Sequence, residues 1–178
     1  PDIITIAKGL TSAYAPLSGS IFSNKVWKVL EQGTDELGPI GHGWTYSAHP
    51  IGAAAGVANL QLVDKMNLVS NAKEVGKYLL DELKNAFDSH SLVGEVRGDG
   101  MLASLEFLEN KESLKFFDPA KKIGMQVSAN LLKEGVIGRA MPHGDILGLA
   151  PPLCLSRSEA DIIVSSLKKS VDKVHSEI

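Results

Sequence analysis

Lys8 is the residue with the most chemistry open to it. It follows the apolar, β-branched run Ile3-Ile4-Thr5-Ile6-Ala7 and precedes Gly9, so it stands where a buried strand is expected to end and a loop to begin. The carboxyl ends of strands are where α/β folds gather their ligands. An amine that loses water in such a site moves toward its neutral, nucleophilic form. A neutral amine can condense with an aldehyde cofactor as a Schiff base, and Gly9 has no side chain to obstruct a flat ring. On residue type alone the blander account is favoured: a lysine that snorkels to solvent at a strand end.

Two further segments carry candidate chemistry. In Gly41-His42-Gly43-Trp44-Thr45-Tyr46-Ser47-Ala48-His49-Pro50, glycine-flanked polar and aromatic residues run into a helix start. A threonine hydroxyl and backbone N–H near such a start could bind a phosphate. The competing account, favoured without context, is an N-capping loop in which Ser47 or His49 caps and the aromatics pack. Arg139 lies on a short strand among apolar neighbours and needs an anionic partner there. That partner is either a substrate carboxylate gripped by two parallel hydrogen bonds or an Asp or Glu in a structural ion pair, the commoner case. Arg97, in Val96-Arg97-Gly98-Asp99-Gly100, is expected to be structural and to fix a tight turn or a domain contact. The histidines show no metal-ligand spacing. Cys154, beside Pro151-Pro152, reads as an inert core thiol. Nucleotide-type glycine-rich phosphate loops are absent.

The elements that must position these residues alternate early and then mix. Strands are expected at Ile3–Ala7 and Ser18–Phe22, and a helix over Lys25–Gln32 ended by Gly33. A glycine-rich loop follows to Trp44. A long helix begins at about His49, with Pro50 in its first turn. A second, amphipathic helix spans about Asn71–Phe87 through Val75, Leu79, Leu83 and Phe87. Val93–Arg97 and Met101–Leu108 read as a hairpin about Gly98-Asp99-Gly100. A helix from Pro119 to about Glu134, strands at Val136–Ala140 and Ile146–Ala150, and a last helix with a Ser156/Glu159 capping box complete the chain. The change of character near Asp64–Ser70 divides residues 1–66, part of an α/β sheet, from residues 67–178, a smaller α+β unit.

Composition narrows the function classes. The 178 residues are 44% apolar and 22% charged, with a formal charge of −3, which describes a globular protein with no electrostatic reason to bind nucleic acid or an acidic membrane. One cysteine cannot form an internal disulfide and fits a reducing compartment, so a cytoplasmic location is expected. No apolar run approaches the length of a bilayer-spanning helix. Pro1 and Asp2 lead at once into apolar residues, with no Met and no cap, so sequence upstream of Pro1 is expected.

Taken together these segments resemble the class III aminotransferases, the fold-type-I pyridoxal-phosphate-dependent group that includes ω-amino-acid:pyruvate transaminases. Pro1 to Leu10 resembles the end of that family's cofactor-lysine signature. His42 to Pro50 is similar to its phosphate-contacting loop. Val96 to Leu102 resembles the hairpin of its C-terminal domain, and Ala150-Pro151-Pro152-Leu153 with the final helix is similar to its usual ending. The loop Leu10 to Leu17 looks like the ω-transaminase branch. The resemblance implies an α/β chain forming the C-terminal portion of such an enzyme: part of the pyridoxal-phosphate-binding large domain over 1–66 and the small C-terminal domain over 67–178. It implies Lys8 as the Schiff-base lysine and proton carrier, Trp44 and Thr45 as cofactor contacts, and Arg139 as a carboxylate-binding arginine. It also implies ping-pong transfer from an amine donor to a keto acid such as pyruvate, within a homodimer in which Thr45 reaches the neighbouring subunit's cofactor. The family's acidic partner for the pyridine nitrogen, its ring-stacking aromatic and its other phosphate loop lie upstream of the position matched by Pro1, so the chain alone is expected to be inactive. Two other readings stand beside this one. One is a non-catalytic C-terminal fragment that only folds or self-associates. The other is an aminomutase or decarboxylase of the same fold.

Overall fold

The computed structural model describes residues 1–178, and the chain forms two compact units, Pro1–Met66 and Asn67–Ile178.

In the first unit, β1 (Ile3–Ile6) pairs antiparallel with β2 (Gly19–Phe22), Ile3 opposite Phe22 and Ile6 opposite Gly19. Helices α1 (Asn24–Leu37) and α2 (Pro50–Lys65) follow. Two sequence expectations are corrected here. β1 is not buried: Ile3 and Ile4 are 53% and 44% exposed, because a two-stranded ribbon has no second layer over its faces. Gly33 does not end α1, since one interior glycine costs only about 1 kcal/mol relative to alanine. The helix ends instead at Gly38, whose φ of 84° and ψ of 172° lie where glycine alone is comfortable and whose N–H donates to the Thr34 carbonyl.

The second unit is a two-layer α/β structure. Its antiparallel sheet has the order β3-β4-β6-β5, from β3 (Val93–Asp99), β4 (Leu102–Phe107), β5 (Arg139–Ala140) and β6 (Ile146–Leu149). Helices α3 (Leu68–Phe87), α4 (Ile123–Lys133) and α5 (Arg157–Glu177) supply the second layer. The expected stripe Val75, Leu79, Leu83, Phe87 is buried in one cluster with Leu105, Phe107, Val127, Leu131, Leu147, Leu167 and Val171. Each such side chain contributes about 1.5–3 kcal/mol by leaving water. The predicted Ser156/Glu159 capping box is present.

Four details differ from the sequence reading. The strand β3 runs through Gly98 and Asp99, and the turn is Gly100-Met101, with Gly100 at φ 53°. Pro119 opens a short 3-10 turn, Pro119–Lys121, after which Lys122 takes φ 51° and α4 starts afresh. There the Gly124 N–H, one of the helix's free first-turn donors, is satisfied by Asp145 Oδ1 from the β5–β6 turn. Strand β5 is only Arg139–Ala140, because Ser128 Oγ donates to the Gly138 carbonyl and holds the preceding segment against α4. Finally, Cys154 is exposed rather than in the core; the buried position belongs to Leu155.

Candidate active site

Lys8 opens a 3-10 turn, Lys8–Thr11, directly after β1. Its φ is 51°, and Ser12 and Ala13 follow at 50° and 62°. Left-handed backbone at a non-glycine residue costs on the order of 1–3 kcal/mol and persists only where the surroundings fix it. The fixings are visible. Thr11, buried, donates through Oγ1 to the Ala15 carbonyl at 2.6 Å. Asn59 of α2 donates through Nδ2 to the Gly9 and Leu10 carbonyls at 2.9 and 3.2 Å, and its Oδ1 accepts from Ser12 Oγ at 2.7 Å. Gly52 and Gly56, on the same helix face as Asn59, let the loop lie close. A Cβ on Gly52 would come to 3.1 Å from the Pro16 carbonyl oxygen, and one on Gly56 to 2.8 Å from Leu17 Cδ2.

The Lys8 side chain is exposed and takes part in no hydrogen bond or ion pair. The expected loss of solvation is therefore not a property of this chain, since the ribbon that carries Lys8 has no covering layer. The amine is unengaged, and a Cβ placed on Gly9 would meet nothing within 4 Å.

The second segment is a tight turn leading into α2. Ser47 Oγ accepts the Trp44 N–H at 2.9 Å, and the His49 Nδ1 caps α2 by accepting the Ile51 N–H at 3.3 Å. Of the two expected caps, His49 caps the helix and Ser47 locks the turn before it. The aromatics do not pack into a core: Trp44 and Tyr46 are 77% and 78% exposed and stand edge-on or tilted to His42 and His49. Trp44, Tyr46, Ser47, Ala48 and His49 line a 240 Å³ cleft with Pro16, Leu17 and Ser18, which brings the end of the Lys8 loop beside this turn. Thr45 is exposed, its hydroxyl engages no protein group, and it forms no hydrogen bond with Lys8.

Arg139 is exposed on the edge strand β5, opposite Gly148, and has no carboxylate partner. The expected structural ion pair is absent, because Arg139 lies at the sheet edge, where water solvates it. Arg97 is structural, as expected: its Nη1 donates to Glu95 on its own strand and to Glu106 across the β3–β4 hairpin, both at 2.6 Å. The Glu106 hydrogen bond above all raises the Arg97 guanidinium above its ordinary value. No group of three or more His, Cys, Asp or Glu side chains could hold a metal, and no helix is long and apolar enough to cross a membrane.

The sequence reading missed Asn59. Asn59 sits on the same face of the Ala- and Gly-rich α2 as Gly52 and Gly56, a placement that by itself does not name the carbonyls it binds.

An unengaged amine at a strand end, a left-handed loop fixed from a neighbouring helix, and a free threonine hydroxyl before that helix fit an aldehyde-bearing, phosphate-bearing cofactor. The family model for class III aminotransferases matches residues 1–171. The chain is 56% identical over 174 residues to the diaminobutyrate–2-oxoglutarate transaminase of Halomonas elongata, covering 98% of this chain and 37% of that protein. It is 36% identical over 174 residues to the putrescine–pyruvate aminotransferase of Pseudomonas aeruginosa, covering 97% and 36%. Among solved structures, a transaminase from directed evolution by ancestral reconstruction superposes with a TM-score of 0.98 at 59% identity, covering 100% of this chain and 39% of that one. A thermostable (S)-enantioselective omega-transaminase from Thermomicrobium roseum gives 0.89 at 37% identity, covering 98% and 38%. The chain belongs to the class III aminotransferases. Its α/β fold is that of a portion of a fold-type-I transferase, and it spans less than two fifths of the length of these relatives.

Proposed function

We propose that this chain is the C-terminal part of a pyridoxal-phosphate-dependent aminotransferase, with residues 1–66 belonging to the large cofactor-binding domain and 67–178 forming the small domain. The reaction we propose moves an amino group from an amine donor or ω-amino acid to a keto acid, with Lys8 carrying the cofactor. The observation that carries this reading is the geometry of Lys8: a free amine at a strand end, in strained backbone that the rest of the unit fixes. The donor class we propose is supported by the two named relatives, both of which are named for donors with two amino groups. We therefore favour a donor presenting a terminal amine. The relative named for 2-oxoglutarate is more similar than the one named for pyruvate, so 2-oxoglutarate stands beside pyruvate as acceptor.

Pyridoxal phosphate, when bound, supplies an electron sink for the bond broken at the substrate carbon. The chain's own residues do the rest. Lys8 would hold the cofactor through its amine and would carry a proton from and back to the substrate carbon, as general base and acid. Thr45 holds the phosphate through its hydroxyl, on the neighbouring subunit's site in a homodimer, with Trp44 beside it. Arg139, free on its edge strand, pairs with a substrate carboxylate. In the whole protein further layers cover β1 and take Lys8 out of water, which favours its neutral form.

The test is a single-turnover reaction on the full-length protein with an aliphatic diamine, followed by the visible absorbance of the cofactor. The expected result is conversion in the unmutated protein, none in Lys8→Ala, and none in this chain alone. Undiminished conversion in Lys8→Ala overturns the reading.

A further inference from the structure

Every polar atom of the Asn59 side chain is committed to the segment that follows Lys8. Its amide nitrogen donates to the Gly9 and Leu10 carbonyls, and its amide oxygen accepts from the Ser12 hydroxyl. These are contacts between residues far apart in sequence, so they tie the Lys8 loop to α2 rather than completing a local turn. The chain enters and leaves the 3-10 turn through left-handed residues, Lys8 at φ 51° and Ser12 at φ 50°. The backbone bonds that flank Lys8 are long: Leu10 N–H to Ala7, Ser12 N–H to Gly9 and Ala13 N–H to Lys8, at 3.2–3.4 Å, and the shorter Thr11 bonds to Ala15 and Tyr14 fix the far end of the loop. Such long bonds are weak, and a left-handed lysine gains by relaxing into the common backbone regions. Without an external fixing the direction of the Lys8 Cα–Cβ bond would be lost.

We infer that Asn59 is the positioning residue for Lys8: through three hydrogen bonds to residues 9–12 it holds the lysine's backbone in the left-handed conformation from which the amine is presented. Asn59 touches neither substrate nor cofactor in this role; it acts through the loop. Gly52 and Gly56 complete the arrangement by letting the loop approach α2 within reach of the amide. The inference rests on the reading of Lys8 given above.

The chemistry requires an amide, not merely a side chain of this shape. Aspartate has the same size and still accepts from Ser12, but it cannot donate and sets a negative charge against two carbonyl oxygens. Asn59→Asp in the full-length protein is therefore the discriminating variant, with Ser12→Ala as a milder one that deletes a single bond. Three readouts are taken: the rate at which added pyridoxal phosphate becomes borohydride-trappable on Lys8, the pH midpoint of the bound cofactor's visible absorbance, and amide hydrogen exchange at Ser12 and Ala13. We expect Asn59→Asp to slow trapping by about tenfold or more, the loss equivalent to about 1.4 kcal/mol, to shift the absorbance midpoint, and to speed exchange at both amides. Ser12→Ala should change all three in the same direction and by less. Unchanged trapping and an unchanged midpoint in Asn59→Asp overturn the inference while leaving Lys8 as the cofactor lysine. If Asn59→Asp does not fold, Ser12→Ala decides alone, and no change there overturns it. A label on another lysine in the unmutated protein removes the reading of Lys8 and this inference with it.

Discussion

Gly76 of α3 gives the sharpest test of how the second unit is put together. A Cβ there would fall 2.0 Å from the Gly100 carbonyl oxygen and 2.3 Å from its carbon. The obstacle is backbone at the β3–β4 turn, so no rotamer change relieves it, and α3 and the hairpin would have to separate by more than an ångström. Two effects compete in Gly76→Ala. Replacing glycine inside a helix gains about 0.8–1 kcal/mol. Forcing extra volume into packed structure costs about 1–3 kcal/mol, and a rigid backbone clash belongs at the upper end of that range. The clash wins, leaving a net loss of about 2 kcal/mol by these figures. Gly33→Ala in α1 is the control, since its Cβ would meet nothing within 4 Å, and it should gain about 0.5–1 kcal/mol. Amide hydrogen exchange in α3 and α1, followed by peptide mass spectrometry, reads each helix separately. Protection of α3 should fall about thirtyfold in Gly76→Ala, while α1 gains protection in Gly33→Ala. If Gly76→Ala instead behaves like Gly33→Ala, the helix is not seated on the turn as described.

Three further predictions follow from the sites. Thr45→Ala should weaken cofactor binding by the full-length protein about tenfold or more, as expected for one hydrogen bond to a charged phosphate, about 1.5–3 kcal/mol; unchanged affinity in a titration would leave Thr45 a loop residue only. Arg139→Ala should slow the half-reaction with a keto acid and spare that with an uncharged amine donor, whereas equal losses would point to a structural role. The third concerns pH. Burial holds the His90 imidazole below its ordinary 6.5, against the opposing hydrogen bond that His90 donates to Asp172 and with the support of nearby His175 and Lys168. His90 Nδ1 accepts the Leu92 N–H and Nε2 faces Asp172 Oδ1, so the neutral ring is the one that fits. A depressed native pKa contributes stability that is present above the unfolded value of 6.5 and is lost as pH falls through the native value. Denaturation midpoints should therefore fall on acidification below pH 6.5, and His90→Gln should flatten that dependence; an identical slope in the variant refutes it.

Much of the second unit was legible because its signals are local and periodic. The α3 stripe, the hairpin and the Ser156/Glu159 box each lie within a few turns or a few residues, and each has one physical solution. The errors fell where a local signal is weak or a distant residue overrides it. Gly33 reads as a helix stop, but the helix continues because the local cost is small beside its remaining hydrogen bonds. Val136–Ala140 reads as a strand, but Ser128 draws Gly138 toward α4 and shortens the pairing. Cys154 reads as buried from its neighbours, yet the turn exposes it and buries Leu155. At the site, the strand end and free amine of Lys8 were visible in the sequence, as was His49 as a cap. Asn59 was not, because its partners lie about fifty residues away and no spacing rule connects an amide in one helix to carbonyls in a loop. The burial of β1 and Lys8 was misjudged because hydrophobicity marks what a strand is suited to face, and this ribbon has nothing over it here.

The central claim is that Lys8 carries the cofactor. The direct measurement is borohydride reduction of the full-length protein loaded with pyridoxal phosphate, followed by peptide mapping of the label. A single pyridoxyl group is expected on the peptide containing Lys8, and its loss in Lys8→Ala. A label on any other lysine, or one that survives Lys8→Ala, would contradict it.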